Sequence, residues 1–188
     1  MKESIKKAHD LALKEIKLFG LPSKENLEIS NDKGQELAKI LGADKEIVAL
    51  GTRLMDIKLG EAAKLNKIQE HVNMGVFRTE EFLKTLNLSE EKKKNVLYCV
   101  KEHHGSKKFY SLESEICANA DCYRFLDTKH WLLFLSSLMN RGMSFEGALD
   151  FATKKLEEKW SILSLKECIE ELKPHHKAIK QIISYANQ

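Results

Sequence analysis

Proline is scarce in this chain, at two of 188 residues. Strand-like alternation of apolar and polar residues, with its period of two, is also rare. Both shortages argue against a sheet-rich fold and favour helices, as does the prevalence of Lys, Leu and Glu. No apolar run approaches the ~20 residues that a membrane span needs. The segment HWLLFLSSLM at 130–139 has the length of a buried helix. A charge excess is missing too: 31 Lys and Arg face 28 Asp and Glu, a net charge of +3. A dedicated nucleic-acid binder usually has a strongly basic face, so composition gives no strong nucleic-acid signal. The four cysteines, Cys99, Cys117, Cys122 and Cys168, lack zinc-finger spacing. The first twenty residues are amphipathic and interrupted by charge, unlike a signal peptide. Reduced core thiols in a cytoplasmic protein are the expectation. There is no internal repeat and no low-complexity linker.

At 43% hydrophobic residues, the chain has enough apolar material for a substantial core. The pattern predicts a single all-α domain over 1–188, a compact array of about eight or nine helices. An amphipathic helix over 2–19 ends at Gly20, and a second closes at Gly42. The third, ADKEIVALGTRLMDIK, has Asp44 as N-cap and a stripe of Ile47, Leu50, Leu54 and Ile57. Gly60 is read as its break. A helix over roughly 62–87 would carry His71 near its middle, with a break at Gly75. LSEEKKKNVLYCVKEHHG is a helix ending at His103, His104 and Gly105, and SLESEICANADCYRFL is another. Further helices cover about 129–140, 144–157 and 161–186, punctuated by Gly142 and Pro174.

Five side chains in or beside these apolar segments carry metal-ligand chemistry: Asp56, His71, His103, His104 and Asp121. Buried imidazoles and carboxylates need partners, and a divalent metal can satisfy several at once. His103 and His104 differ by about 100° around a helix, so both reach one site only near the helix end. Glu113, Cys117, Asp121 and Arg124 share a face of the next helix. Glu113 is a candidate to orient a ligand histidine, and Arg124 to meet a phosphate.

The segments RLMDIKLG, HVNMG, EHHG and LESEICANADCYRFLD occur in an order that resembles the HD superfamily of metal-dependent phosphohydrolases. The resemblance covers residues 26–127 and leaves a C-terminal helical extension over 128–188. It places Asp56 at the carboxylate that bridges two metals in dinuclear members related to the HD-GYP group. His71, His103 and His104 match the three histidines of one metal site. Of the other site only Asp121 remains. Met55 stands where the motif His belongs, and the early His is absent, with Asn26 or Asn31 nearest.

The resemblance therefore implies one divalent transition metal per chain (Fe, Mn, Zn or Ni). Asp56, His71, His103 and His104 would hold it, and Asp121 would adjoin it and hold a water. The implied activity is hydrolysis of a nucleotide or other small phosphoester. Asp56 and Asp121 would be catalytic, and Lys58 and Arg124 would bind substrate, with Arg53 a further phosphate candidate. Met55 is expected to face the core or cap the lost site. Trp131 and Trp160 are candidate pocket walls, and the C-terminal helices a cap. The alternative is a non-catalytic module that keeps the fold and binds a nucleotide, a metal or a partner protein. A metal-dependent oxygenase is a third option. His9-Asp10, although a literal His-Asp pair, sits early in an amphipathic helix and is expected to ligate nothing. His175-His176 reads as a helix start after Pro174, His130 as a cap or core contact, and Cys117 and Cys122 as small core residues.

Overall fold

Ten α-helices and one 3-10 turn make up the regular structure of residues 2–187, the portion described by the computed structural model. No strand occurs among the described residues. The chain divides into two compact units, Met1–Ala120 and Asp121–Gln188, and the division falls within one helix. No helix among the described residues is long and apolar enough to cross a membrane.

In the first unit, α1 (Glu3–Phe19), α2 (Lys24–Leu41) and α6 (Glu90–Glu102) surround α3 (Lys45–Leu54). Every residue of α3 from Glu46 onward is buried, including the stripe foreseen in the sequence. A helix buried on all sides needs small residues where its neighbours come closest. Gly51 supplies one. A Cβ there would lie 2.6 Å from Cys99 Cβ and 2.7 Å from Cys117 Sγ. Gly34 does the same between α2 and α3, where a Cβ would lie 2.9 Å from Thr52 Cγ2. Asp44 caps α3, accepting hydrogen bonds from the Glu46 and Ile47 amides, and Gly20 and Gly42 close α1 and α2 in the left-handed conformation.

The helix expected over 62–87 is two helices and a 3-10 turn. Helix α4 (Leu59–Lys64) stops before Asn66, which takes φ 57. Asparagine tolerates that left-handed region better than other side chains, and one such residue ends a helix. The 3-10 turn Ile68–Glu70 then leads into α5 (His71–Lys84), so His71 opens a helix rather than standing at mid-helix. Gly60 lies inside α4, where a Cβ would lie 2.6 Å from Leu21 O. It serves close approach, not chain breaking. Gly75 likewise lies inside α5.

The second unit holds the end of α7 (Leu112–Leu126) with α8 (Thr128–Asn140), α9 (Phe145–Ile162) and α10 (Lys166–Ala186). Trp131 is fully buried there and donates Nε1–H to Ala152 O at 3.3 Å, so it is a core residue rather than a pocket wall. Trp160 stacks on His176 with centroids 4.2 Å apart. Pro174 sits inside α10, and His175 and His176 are mid-helix residues, not a helix start.

Gly51→Ala tests the close approach at α3. In an unconstrained helix this change is favourable by about 0.5–1 kcal/mol. Here urea unfolding should show a loss of about 1–3 kcal/mol, the cost of overpacking.

Candidate metal centre

Three connections converge in the first unit. The turn after α3 carries Asp56, the start of α5 carries His71, and the end of α6 carries His103 and His104. Helix α6 ends at Glu102, which lets successive histidines face one place, as their 100° offset requires. Ring centroids are 5.7 Å apart for His71 and His103, 5.0 Å for His71 and His104, and 4.4 Å for His103 and His104. One donor atom from each of the three lies within 4.8 Å of the others, a group able to hold a metal ion. Asp56 Oδ1 is 3.5 Å from His103 Nε2 and 3.7 Å from His71 Nε2.

The protonation of two rings follows from their partners. His71 Nδ1 is 2.6 Å from Ile68 O, and His103 Nδ1 is 2.7 Å from Val100 O. A carbonyl only accepts, so each Nδ1 carries the proton and donates it. In the neutral rings each Nε2 then presents a lone pair, the form that ligates metals. His103 is fully buried and its Nε2 makes no hydrogen bond. Such a group costs about 1–3 kcal/mol if left unsatisfied, and a cation would satisfy it. The donor set thus fits a divalent transition metal: three imidazoles, with a carboxylate beside two of them. His71 and Asp56 are also buried, and His104 is exposed.

Asp121 lies in the second unit, fully buried. Lys159 Nζ donates to its Oδ2 at 2.7 Å, and Arg124 pairs with its Oδ1. Burial pushes the Lys159 ammonium down, but the Asp121 carboxylate outweighs it and leaves the group above its ordinary value. Lys159 escaped the sequence reading. Its signal was present: it extends the buried face of α9 formed by Ala148, Ala152 and Leu156. Burial raises the Cys122 thiol and, with the Glu171 partner of its hydroxyl, the Tyr123 phenol.

Other expected roles fall differently. Glu113 orients no histidine; it accepts from the Asp44 amide at 2.9 Å and from Asn95 Nδ2 at 3.0 Å. Burial pushes its carboxyl up, but these hydrogen bonds win and hold it below the usual carboxylate range. Lys58 contacts both Glu15 carboxylate oxygens at 3.2 Å and pairs with Glu61. Arg53 is buried and donates to Asn31 and to Ala49 O, tying α2 to α3 rather than facing solvent as a phosphate contact would. Asn31, near the place of the missing early His, is engaged by that guanidinium, and Met55 is a core residue. His9 lies 4.0 Å from Glu28, outside the histidine group. His130 faces Tyr123 O and Asp127 as a cap contact. All four cysteines are free and buried.

No family model matches the sequence, and no curated protein matches it. Solved structures match its fold. A Bacillus thuringiensis HD-superfamily hydrolase superposes with TM-score 0.63 at 16% identity, over 97% of this chain and 95% of its own. A predicted HD-superfamily hydrolase from an uncultured Thermotogales bacterium gives 0.61 at 16% identity, over 83% and 84%. Bacillus subtilis YpgQ gives 0.68 at 14% identity, over 98% and 96%. The chain has the all-α, HD-domain-like fold that its motifs suggested.

Two measurements check the electrostatics. Lys159→Ala should cost about 3–5 kcal/mol in urea unfolding, because it leaves the buried Asp121 carboxylate short of a cation, and Lys159→Met should behave similarly. Glu113 has a lowered folded-state value, so its stabilisation is present above the ordinary carboxylate range and fades as pH falls through the lowered one. The stability gap between the unaltered protein and Glu113→Gln should therefore narrow from neutral pH towards about pH 3.

Proposed function

We propose that the protein is a metal-dependent phosphohydrolase acting on a nucleotide or other small phosphoester, with one divalent transition metal (Fe, Mn, Zn or Ni) per chain. The observation that carries this reading is the pair of buried, Nδ1-anchored histidines whose Nε2 atoms lie beside the Asp56 carboxylate. Donor chemistry of this kind suits such ions. The fold supports it, being shared with proteins described as HD-superfamily hydrolases.

In this reading His71, His103 and His104 hold the ion, and Asp56 completes the set. The bound ion supplies Lewis-acid polarisation of a phosphoryl oxygen and a lowered pKa for water. The chain supplies aim. The carbonyls of Ile68 and Val100 fix which ring nitrogen of His71 and of His103 is left to face the ion. Asp56, at 3.5 Å from His103 Nε2, is the carboxylate placed to hold a proton from the attacking water. His104, as the exposed member, marks the side open to solvent. Lys58 remains the nearest cation in sequence to Asp56, held by Glu15 and Glu61, and could turn towards a phosphoryl group. The reading does not call on Asp121 or Arg124, which serve each other and Lys159.

Elemental analysis of tag-free protein should find about one transition metal per chain, lost in His71→Ala and His103→Ala. Hydrolysis of generic phosphoesters should depend on that metal and fall on the order of 100-fold or more in Asp56→Ala and His103→Ala. Metal-free protein that takes up no added Fe, Mn, Zn or Ni would refute the reading, as would activity indifferent to both changes.

A further inference from the structure

Helix α6 carries a second feature that the metal reading does not use. Lys94, Tyr98 and Lys101 follow i, i+4, i+7 spacing and so share one face. The segment after the histidines, Gly105–Ser111, folds back onto this face. Gly105 turns the chain at φ 93, and Ser106 Oγ donates to Lys108 O at 2.8 Å. The Tyr110 amide donates to Glu102 Oε2 at 3.0 Å, and Ser111 Oγ donates to Asn95 Oδ1 at 2.6 Å. Tyr110 is thereby laid on Tyr98, with rings 4.1 Å apart and 8° from parallel. Lys94 Nζ sits 5.3 Å from the Tyr110 centroid and Lys101 Nζ 5.5 Å from that of Tyr98.

The lysines here differ from their neighbours. Lys92 pairs with Asp44 and Glu46, and Lys93 with Glu90. Lys94, Lys101, Lys107 and Lys108 are exposed, and none has an ion-pair partner among the described residues. Three carboxylates stand on α6: Glu90, paired with Lys93, exposed Glu91, and Glu102, which is committed to the Tyr110 amide. Tyr110 keeps 41% of its surface exposed although its ring is held by Tyr98. A fixed aromatic ring set among uncompensated cations matches bases that stack and phosphates that carry charge.

We propose that the face formed by Lys94, Tyr98, Lys101 and Tyr110, adjoined by the segment carrying exposed Lys107 and Lys108, binds single-stranded nucleic acid. A base stacks on the outer face of the tyrosine pair in place of the Lys94 or Lys101 ammonium, and the displaced lysine, with the others, follows the phosphates. An acidic peptide would satisfy the lysines but leave the aromatic platform without a matching group. The near-neutral charge of the whole chain conceals this patch, because charge is balanced elsewhere by pairs such as Lys2–Glu46 and Lys33–Glu36. The stripe on α6 stops three residues short of His104. Binding here does not depend on the metal-dependent reading.

Fluorescence anisotropy of the full chain in EDTA with a labelled oligothymidylate of about 12 nucleotides tests the proposal. The oligonucleotide should bind, with affinity falling as salt rises. Tyr110→Ala should weaken binding ~5-fold or more, and Tyr110→Phe should retain it. Lys94→Glu combined with Lys101→Glu should weaken binding and flatten the salt dependence. Circular dichroism melts confirm that each variant is folded. The proposal is overturned by absence of binding at low salt, by equal affinity for an abasic strand of the same length, by equal competition from oligoglutamate, or by a folded Tyr110→Ala protein of unchanged affinity. Because EDTA removes any metal, failure here leaves the hydrolase reading standing, and the reverse also holds.

Discussion

The contact between Gly51 and Cys99 sets the register on which the centre depends. With no side chain at Gly51, α3 and α6 approach until a Cβ would collide with Cys99 at 2.6 Å. Five residues further along, the first chain places Asp56; four residues further along, the second places His103. The carboxylate and the ring meet at 3.5 Å because the helices already meet a turn or so earlier. Cys117 closes the same junction from α7, and its small sulfur leaves room that a larger side chain would take. Packing and chemistry are thus one constraint: a shift of α3 against α6 that relieved the crowding would also part Asp56 from His103.

Charge within the two units is handled in contrasting ways. In the first, imidazoles anchored through Nδ1 turn Nε2 towards a carboxylate, an arrangement suited to a cation from outside. In the second, Asp121 has its cations built in, from Arg124 and Lys159. A buried ion group of that kind is costly to assemble, and removing any one member is costlier than removing all. It gives the second unit an electrostatic core that tolerates little change.

Much of this was legible in the sequence. The helical period, the Asp44 cap and the buried stripe of α3 came from pattern and spacing, and the grouping of His71, His103 and His104 was implied by the family resemblance. These features are local, or are repeated often enough to stand out. The misreadings share a cause: the residue's type indicated one role and its packing another. Gly60 and Gly75 looked like breaks, but both lie inside helices, and at Gly60 the missing side chain gives clearance from Leu21. Asn66 ends α4, within the span where the apolar pattern predicts one long helix. Pro174 looked like punctuation before a helix start and lies within α10. Glu113 and Arg53 looked like site residues because polar groups in apolar segments demand partners, and spacing does not tell a ligand from a neighbouring side chain. Lys159 was passed over because lysine is read as surface by default.

His71 and His103 each lean on a carbonyl three residues back in their own turn. That part of their aim is written into a few consecutive residues. A centre assembled from self-orienting pieces can tolerate extensive sequence drift around it. Substitutions elsewhere need only preserve the relative placement of three helix ends, and the rings will still face inward. The chain is therefore free to exchange its surface and its caps while the histidine geometry persists.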